Sequence, residues 1–271
     1  MTTRKTPAAL GYRMPPEWHP HAATWLAWPK DPLTWPERVP QVEEIYIDIM
    51  AALAPHETVN LLVDDEATEA AVRARCTFEA SENVRFHRVP TVDSWIRDYG
   101  PNFLLNERGE LAYNDWVFNA WGDKYEELKR DDGVPRKLES VLGVPRFEPD
   151  VVMEGGSIEV NGAGVVMTTE QCLLNPNRNS HLDRGGVEKY LCNYLGVEKV
   201  LWLGEGIVGD DTDGHIDDIA RFVAPDTIVC AVEDDPADAN YELLQDNYRR
   251  LQHARDARGS AYRIESPARE R

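Results

Sequence analysis

The sequence predicts an α/β fold built from repeated modules, each with the element order strand, strand, helix, strand. Runs with helical periodicity alternate with short extended runs rich in β-branched residues. Strand pairs joined by glycine turns precede several of the helices. Two segments also resemble each other, GVPRKLESVLGVPRF at 133–147 and GVEKYLCNYLGVEKV at 186–200. The alternative is a doubly wound sheet, in which single strands alternate with helices.

The first part of the chain alternates predicted helices with single strands. Helical periodicity at 39–54 precedes a β-rich run at 58–63. A second helical run at 65–76 precedes an alternating run at 83–89. This part therefore predicts two helix-to-strand units in succession.

Later helices are predicted to end at glycine. The helical runs 135–142 and 185–195 are followed by Gly143 and Gly196, and in both cases a valine and an extended run come next. This pattern is typical of a left-handed glycine C-cap with an apolar residue behind it. The remaining predicted elements are a helix at 236–255, a strand at 261–264 and the hairpins 102–105 with 111–118, 157–160 with 164–168, and 217–223 with 227–232.

The chain carries a strong negative charge. Its 271 residues include 48 Asp and Glu against 29 Lys and Arg, which gives a net charge of -19. Such a field repels polyphosphates and anionic lipid headgroups and attracts small cations, so we expect neither nucleic acid nor a membrane surface as a partner. A solubility or salt adaptation of the surface explains the charge equally well. The hydrophobic content of 42% supports a buried core and excludes a disordered protein.

The cysteines and the absence of apolar targeting segments predict a cytoplasmic protein. Cys76, Cys172, Cys192 and Cys230 form no C-x-x-C pair, which favours reduced thiols. No stretch has the pattern of a signal peptide or of a bilayer-spanning helix. No linker of low complexity divides the sequence, so we expect one domain over residues 1–271.

Three polar segments, each after a predicted strand, contain the residues best suited to chemistry. They are WIRDYGP at 95–101, MEGG at 153–156 and DTDGHID at 211–217. Asp98 and Glu154 are 56 positions apart, and Glu154 and His215 are 61 positions apart. This nearly constant spacing is expected if successive modules each contribute one loop to a shared site.

The residue types in these segments favour a cationic ligand. Burial of Asp98, Glu154 and Asp217 is costly unless a cation compensates their charge. A planar guanidinium suits them best, because its five N–H donors allow two carboxylates to bind it at once. His215, two residues before Asp217, is then placed to move protons to and from the reacting group.

Simpler interpretations of the same residues remain open. Asp98 and Glu154 each fit a solvated turn or a surface ion pair. An EF-hand loop with its glycine at Gly214 would begin at Gly209 and end at Ala220, which does not fit the calcium pattern. One histidine supports zinc poorly, so we expect no metal, and an aspartate-rich metal-dependent hydrolase stays an alternative.

Together, these motifs resemble those of the agmatine deiminases, which are guanidino-group-modifying enzymes. The resemblance runs from about Gly11 to Ile264 and includes, in the family's order, MPPEWHPHAATWLAWP (14–29), WIRDYGP, EGG, TEQCLLNPNRN (169–179) and TDGHID (212–217). It implies a five-bladed α/β propeller of ββαβ modules around a central site, with no cofactor. Bacterial peptidyl-arginine deiminases are similar in sequence, and the tryptophan-rich N-terminal segment and Asp211 favour agmatine as the substrate.

The resemblance also implies roles for individual residues. His215 would be the acid/base, and Asp211 would contact the distal ammonium of the substrate unless it only caps the following turn. Trp95 and Trp121 would line the pocket with a ring face toward the cation, and core packing is the alternative role for both. The full set of implied substrate-binding residues is Asp98, Glu154, Asp211, Asp217, Trp95 and Trp121.

In the mechanism of that family, a cysteine thiolate attacks the guanidinium carbon, ammonia leaves, and water releases N-carbamoylputrescine. His215 would protonate the ammonia and then activate the water. The family's nucleophile lies in a glycine-rich C-terminal segment that the 271 residues do not contain, and the four cysteines are interpreted as small buried hydrophobic residues.

At 56 to 61 residues per module the chain holds about four modules. We therefore expect a propeller domain that is incomplete at its C-terminal side and inactive as written. Its exposed strand edges predict association, with homo-oligomers among the products. The alternatives are an inactive protein that binds guanidino compounds or polyamines and a peptidyl-arginine deiminase.

Overall fold

The computed structural model describes residues 5–266. In this range the chain forms short strands joined by helices, loops and tight turns. The strands are β1 Ala23–Ala27, β2 Thr58–Val63, β3 Val84–Arg88, β4 Asn102–Leu105, β5 Leu111–Asn114, β6 Arg146–Phe147, β7 Glu159–Val160, β8 Val165–Thr169, β9 Lys199–Leu203, β10 Ala220–Ala224, β11 Thr227–Cys230 and β12 Arg263–Glu265.

The helices vary widely in length. The α-helical segments are α1 Val39–Leu53, α2 Glu66–Arg75, α3 Ile96–Tyr99, α4 Ala120–Asp123, α5 Val134–Lys137, α6 Glu139–Leu142, α7 Glu170–Leu173, α8 Pro176–Asn179, α9 Arg184–Leu195 and α10 Tyr241–His253. Turns of 3-10 helix lie at Ala8–Leu10, Ser81–Asn83, Glu126–Gly133, Gly155–Ser157 and Ile216–Asp218.

The chain forms two compact units. The larger unit comprises Met1–His19, Pro101–Lys124 and Val144–Arg271, and the smaller unit comprises Pro20–Gly100 and Tyr125–Gly143. The sequence predicted one domain over 1–271; this stays a prediction, and both ends of that range lie outside the described residues.

The smaller unit contains a parallel sheet with the order β1-β2-β3. The helices α1 and α2 connect its strands, as the helical periodicities predicted. The carboxylate of Asp65 caps α2, because its Oδ1 accepts a hydrogen bond from the Thr68 N–H at 2.8 Å. The core of this sheet consists of apolar side chains from both helices and the strands, including Met50, Val59, Leu61, Val63, Val72 and Val84.

The larger unit contains three mixed sheets with one connectivity. In each, an antiparallel hairpin is followed by helices and then by a strand that pairs in parallel with the second hairpin strand. This is the predicted order strand, strand, helix, strand. The sheets are β4-β5-β6, β7-β8-β9 and β10-β11-β12.

The prediction of one recurring module is therefore confirmed for three of the four three-stranded sheets formed by residues 5–266. The sheet β1-β2-β3 departs from it, because its strands are single and alternate with helices in the manner of a doubly wound sheet. The fold is α/β with mixed sheets. Arrangement of the sheets as a propeller stays a prediction.

Several predicted elements are shorter in the structure than their sequence patterns. The run 135–142 forms the two short helices α5 and α6, which meet at Leu138, a residue with a right-handed backbone and a ψ of -8°. The predicted strand 111–118 ends at Asn114. The glycine C-caps are confirmed, since Gly143 and Gly196 both have left-handed backbones with φ of 63° and 67°.

Helix α9 illustrates how the larger unit builds its core. Val187, Leu191 and Leu195 recur every four residues, so they share one face of the helix, and all three are buried. They pack with strand residues such as Val160 and Val166. This packing fixes the sheet β7-β8-β9, from whose ends the loops of the site described below extend.

Gly196 is more constrained than an ordinary C-cap glycine. A Cβ at this position would lie 2.5 Å from the carbonyl oxygen of Tyr12, whereas at Gly259, which also has a left-handed backbone, a Cβ would meet nothing within 4 Å. We expect Gly259→Ala to lower the free energy of unfolding by roughly 1–2 kcal/mol, from backbone strain alone. Gly196→Ala should lower it by at least about twice as much, because the carbonyl must also move. Chemical denaturation measures both, and equal losses would contradict this account.

Candidate active site

Glu154 begins one of the predicted polar loops and is fully buried. Its Oε1 accepts a hydrogen bond from Nε of Arg178 at 2.7 Å. Its backbone carbonyl accepts one from Oγ of Ser157 at 2.6 Å, which fixes the turn that follows. Because burial of a carboxylate without a cation is costly, the ion pair with Arg178 compensates the charge of a Glu154 carboxylate at this depth.

The loop that leads to His215 is shaped by Asp210. Its Oδ1 accepts from the Thr212 N–H at 2.8 Å, and its Oδ2 accepts from the Gly214 N–H at 2.6 Å. Gly214 has a φ of 84°, a left-handed backbone that glycine adopts without steric cost. The Gly214 carbonyl accepts from Oγ1 of Thr169 at 2.6 Å, which ties the loop to the end of β8. The chain therefore turns tightly before His215.

His215 lies between two of the predicted carboxylates. Its Nε2 is 4.0 Å from Oε2 of Glu154, and its Nδ1 is 3.9 Å from Oδ1 of Asp217. The imidazole and the Glu154 carboxylate are buried, while Asp217 is partly exposed. The structure thus brings together three residues from two of the three polar segments; their roles stay predictions.

Burial determines the charge of His215. It lowers the pKa of the imidazole to about 4, with a smaller contribution in the same direction from the Arg178 guanidinium. The carboxylate of Asp217 acts in the opposite direction without overcoming burial. His215 is therefore neutral at pH 7, and it must accept a proton before it can donate one to a leaving group.

Arg178 is the residue that sequence reasoning missed. Its side chain is fully buried, and its guanidinium bridges the loop of Glu154 and the loop before His215. Besides the bond to Glu154, Nη1 donates to Oδ2 of Asp213 at 2.7 Å and Nη2 donates to the Thr212 carbonyl at 2.9 Å. Arg178 belongs to the motif TEQCLLNPNRN, which was noted for its resemblance without a role for this arginine.

Cys172 lies closer to Glu154 and His215 than its sequence context indicated. Its Sγ, one carboxylate oxygen of Glu154 and one ring nitrogen of His215 all lie within 4.8 Å of one another. Carboxylate, thiolate and imidazole are also donors that a transition metal accepts. The Arg178 guanidinium is bound to the same carboxylate, so one oxygen of Glu154 already has a cationic partner. The expected absence of a metal stays a prediction.

Asp211 lies on the exposed side of the same loop. Its backbone carbonyl accepts a hydrogen bond from Nζ of Lys124 at 2.5 Å, and the same ammonium donates to Oδ1 of Asp213 at 2.7 Å. Lys124 therefore binds the residues on both sides of Thr212, through the backbone of Asp211 and the side chain of Asp213. The contact predicted between Asp211 and a substrate ammonium stays a prediction.

Trp121 occupies a strained segment. Ala120, Trp121, Gly122 and Asp123 all have positive φ, so α4 is one left-handed turn, which costs roughly 1–2 kcal/mol for each residue other than glycine. The indole is buried, and its ring centroid lies 5.2 Å from that of Phe118 in an edge-to-face arrangement. Core packing is therefore at least part of its role.

Asp98 and Trp95 belong to the smaller unit, at the short helix α3. Asp98 is half-buried. Trp95 is 43% exposed, and its ring centroid lies 5.4 Å from that of Trp35. The convergence of Asp98 with Glu154 stays a prediction, because the two residues lie in different units.

The segment before α3 is held by two buried acids that sequence reasoning also missed. The Asp131 carboxylate accepts from the backbone N–H groups of Val92 and Asp93 at 2.6 and 2.9 Å. Asp93 accepts from Oγ1 of Thr34 at 2.6 Å. Burial raises the pKa of both carboxyls. Both acids come from outside the WIRDYGP motif, so the motif carried no signal for them.

A family model for the Porphyromonas-type peptidyl-arginine deiminases matches residues 13–268 of the chain. That range includes all three polar segments. The chain belongs to this deiminase family.

Curated relatives in the family are agmatine deiminases. The enzyme of Ectopseudomonas mendocina is 41% identical over 263 residues, which are 95% of this chain and 70% of the relative. The agmatine deiminase of Pseudomonas aeruginosa strain LESB58 is 40% identical over 259 residues, 94% of this chain and 69% of the relative.

Solved structures of the family share the fold. An agmatine deiminase of Enterococcus faecalis superposes with a TM-score of 0.91 at 36% identity, covering 97% of this chain and 72% of that one. A cysteine-to-serine variant of Campylobacter jejuni agmatine deiminase with substrate bound gives a TM-score of 0.82 at 30% identity, covering 96% and 77%. The expected absence of a module and the expected inactivity are not established by these comparisons.

Within residues 5–266, no helix is both long enough and apolar enough to span a bilayer. The predicted location in the cytoplasm stays a prediction.

The low pKa of His215 makes stability depend on pH. The unfolded chain binds a proton to this histidine below about pH 6.5, whereas the folded chain does so only below about pH 4, so acidification favours unfolding in this range. We expect His215 to account for about 3 kcal/mol of lost stability between these pH values. Chemical denaturation of the wild type and of His215→Gln should show this loss only in the wild type. An equal loss in both proteins would contradict the buried neutral histidine.

Proposed function

We propose that the chain carries the substrate-binding acids and the acid/base of an agmatine deiminase. The reaction converts agmatine and water to N-carbamoylputrescine and ammonia through a covalent cysteine intermediate. The observation that carries the proposal is the buried His215 with Glu154 and Asp217 at 4.0 and 3.9 Å on either side. Membership of the family and the agmatine deiminases among its members support the choice of reaction.

The proposed site binds the guanidinium through carboxylates. Glu154 and Asp217 approach His215 from two loops, and a planar cation bound beside the imidazole can donate hydrogen bonds to both carboxylates. Asp98 is proposed to provide a third carboxylate. Removal of the guanidinium from water then costs less, because its charge is compensated within the site. Asp211 is proposed to bind the distal ammonium, and Trp95 and Trp121 to line the pocket.

His215 is proposed to move the protons of both half-reactions. Because it begins neutral, it first takes the proton released when the nucleophilic thiol attacks the guanidinium carbon. It then donates this proton to the departing ammonia. In the second half, it takes a proton from water as the water oxygen bonds to the carbon, and it returns this proton to the sulfur when the carbon–sulfur bond breaks. The flanking carboxylates of Glu154 and Asp217 stabilise the imidazolium in the interval.

No cysteine among the 271 residues is assigned as the nucleophile. Burial raises the pKa of Cys76, Cys192 and Cys230, to about 11 for Cys230, which keeps these thiols protonated at pH 7. Cys172 is fully buried and has the charged neighbour Arg178. By resemblance, its motif contains a cysteine that is not the nucleophile. We therefore propose that this stretch of chain binds the substrate without turning it over.

The propeller arrangement belongs to the same proposal. Three mixed sheets with the ββαβ order support it. Successive modules would then each contribute a loop to one central site. A cytoplasmic location and a place in putrescine biosynthesis follow from the proposed reaction.

Binding of agmatine tests the proposed site directly. We expect Asp217→Asn and Glu154→Gln each to raise the dissociation constant for agmatine at least about tenfold, because each removes a charged acceptor. Asp226→Asn is the matched control, since Asp226 is an exposed acid at the β10–β11 turn. Calorimetry provides the constants, and circular dichroism verifies folding. Equal affinity in all four proteins would contradict the proposal, and preference for N-acetylarginine amide over agmatine would favour a peptidyl-arginine deiminase.

Release of ammonia tests the assignment of the cysteines. We expect no ammonia or N-carbamoylputrescine from agmatine with the 271-residue chain. Cys172→Ser and the control Cys192→Ser should behave alike in this assay. Turnover that Cys172→Ser abolishes and Cys192→Ser preserves would contradict this assignment and would identify Cys172 as the nucleophile.

A further inference from the structure

The guanidinium of Arg178 joins the two loops that form the candidate site. Nε donates to Glu154 at 2.7 Å, and Nη2 donates to the carbonyl of Thr212 at 2.9 Å. Nη1 donates both to Oδ2 of Asp213 at 2.7 Å and to Oδ1 of Asn177 at 2.8 Å. Four acceptors from three chain segments therefore surround one buried cation.

This arrangement decides where Glu154 can lie relative to His215. Glu154 lies on one loop and His215 on another, and the Arg178 guanidinium is bound to the Glu154 carboxylate and to the two residues before Gly214. A guanidinium is planar and holds its donors in a fixed geometry, so it sets the spacing of its acceptors. A movement of the guanidinium would change the distance between the carboxylate and the imidazole.

Gly122 provides the space for this guanidinium. It lies in the left-handed turn α4 with a φ of 89°, and a Cβ here would lie 2.6 Å from Nη1 of Arg178 and 2.2 Å from Nδ2 of Asn177. The turn cannot retreat freely, since Oδ1 of Asn119 accepts from the Gly122 N–H at 2.9 Å and Nδ2 of Asn119 donates to the Asn177 carbonyl at 2.9 Å. Any side chain at position 122 must therefore displace the groups around Arg178.

We propose that Arg178 is the positioning residue of the site and that Gly122 is required because its missing side chain leaves room for the guanidinium. The proposal rests on the proposed function for the role of Glu154 and His215 in binding the substrate. Arg178 itself touches neither substrate nor reacting atoms in this account. It acts by holding Glu154 and the loop 212–214 at a fixed distance.

The pKa of His215 distinguishes a positioning role of Arg178 from a purely structural one, because it depends on the charge of Arg178. The guanidinium contributes to the lowered pKa of His215, although burial is the larger cause. Replacement of Arg178 by methionine removes a positive charge from the surroundings of the imidazole, so the pKa of His215 should rise. Replacement by lysine retains the charge and loses the planar set of donors.

A pair of glycine substitutions tests the proposal with matched backbone strain. Gly109 has a φ of 75° and a Cβ there would meet nothing within 4 Å, so Gly109→Ala adds the strain of a left-handed alanine without a clash. We expect Gly122→Ala to weaken agmatine binding by roughly tenfold or more, as for loss of a charged hydrogen bond, and Gly109→Ala to leave it within about twofold. Equal affinities in these two variants would overturn the role of Gly122.

Variants of Arg178 add a measurement that does not require agmatine, the titration of His215. Titration of ring-labelled histidine by NMR, with the His215 signal assigned by its absence in His215→Gln, should show a raised pKa in Arg178→Met and a lowered pKa retained in Arg178→Lys. Arg178→Lys should still bind agmatine about tenfold more weakly than the wild type, because it cannot reach all four acceptors. Wild-type affinity and an unchanged His215 titration across these variants would overturn the proposal.

Failure of the proposed function gives a different result. If the wild-type chain binds no agmatine but the titration of His215 moves in Arg178→Met, the proposed substrate is wrong and the positioning role stands. If Arg178→Met does not fold, agmatine binding by Arg178→Lys tests the proposal, since lysine retains the positive charge that the buried Glu154 carboxylate requires. Near-ultraviolet circular dichroism shows whether each variant keeps its packed aromatic residues.

Discussion

A buried ion pair between Arg178 and Glu154 is the interaction on which the site of this deiminase family member depends. Neither charge would be stable alone at this depth, because desolvation of an isolated ion costs several kcal/mol. Their bond at 2.7 Å compensates both charges. The remaining donors of the guanidinium bind the loop before His215. One cation therefore stabilises the acid, orders the loop and sets the surroundings of the imidazole.

The same burial defines what the site can do. His215 is neutral at pH 7, so in the proposed reaction its first step is to accept a proton, and Glu154 and Asp217 at about 4 Å favour the imidazolium once it forms. A substrate that brings its own positive charge suits this arrangement, because one carboxylate lies on each side of the histidine.

Hydrogen bonds from neighbouring side chains hold the strained backbone of α4 near the site. The left-handed turn α4 contains three residues other than glycine with positive φ, a conformation that persists only where surrounding contacts impose it. Asn119 supplies such contacts through Gly122 and Asn177, and Lys124 extends them to Asp211 and Asp213 by two hydrogen bonds. The strained turn and the end of β8 thus both contact the loop before the histidine.

The α/β class, the three hairpin modules and the glycine C-caps could be predicted from the amino-acid sequence, because periodicity and turn chemistry are local properties. The motifs also indicated Glu154, His215 and Asp217 as site candidates. The folded chain was needed to show that Arg178 binds Glu154, that Cys172 lies near both Glu154 and His215, and that β1-β2-β3 lacks a hairpin. Such contacts join residues far apart in the chain, and their energies come from burial and charge compensation, which no local pattern encodes.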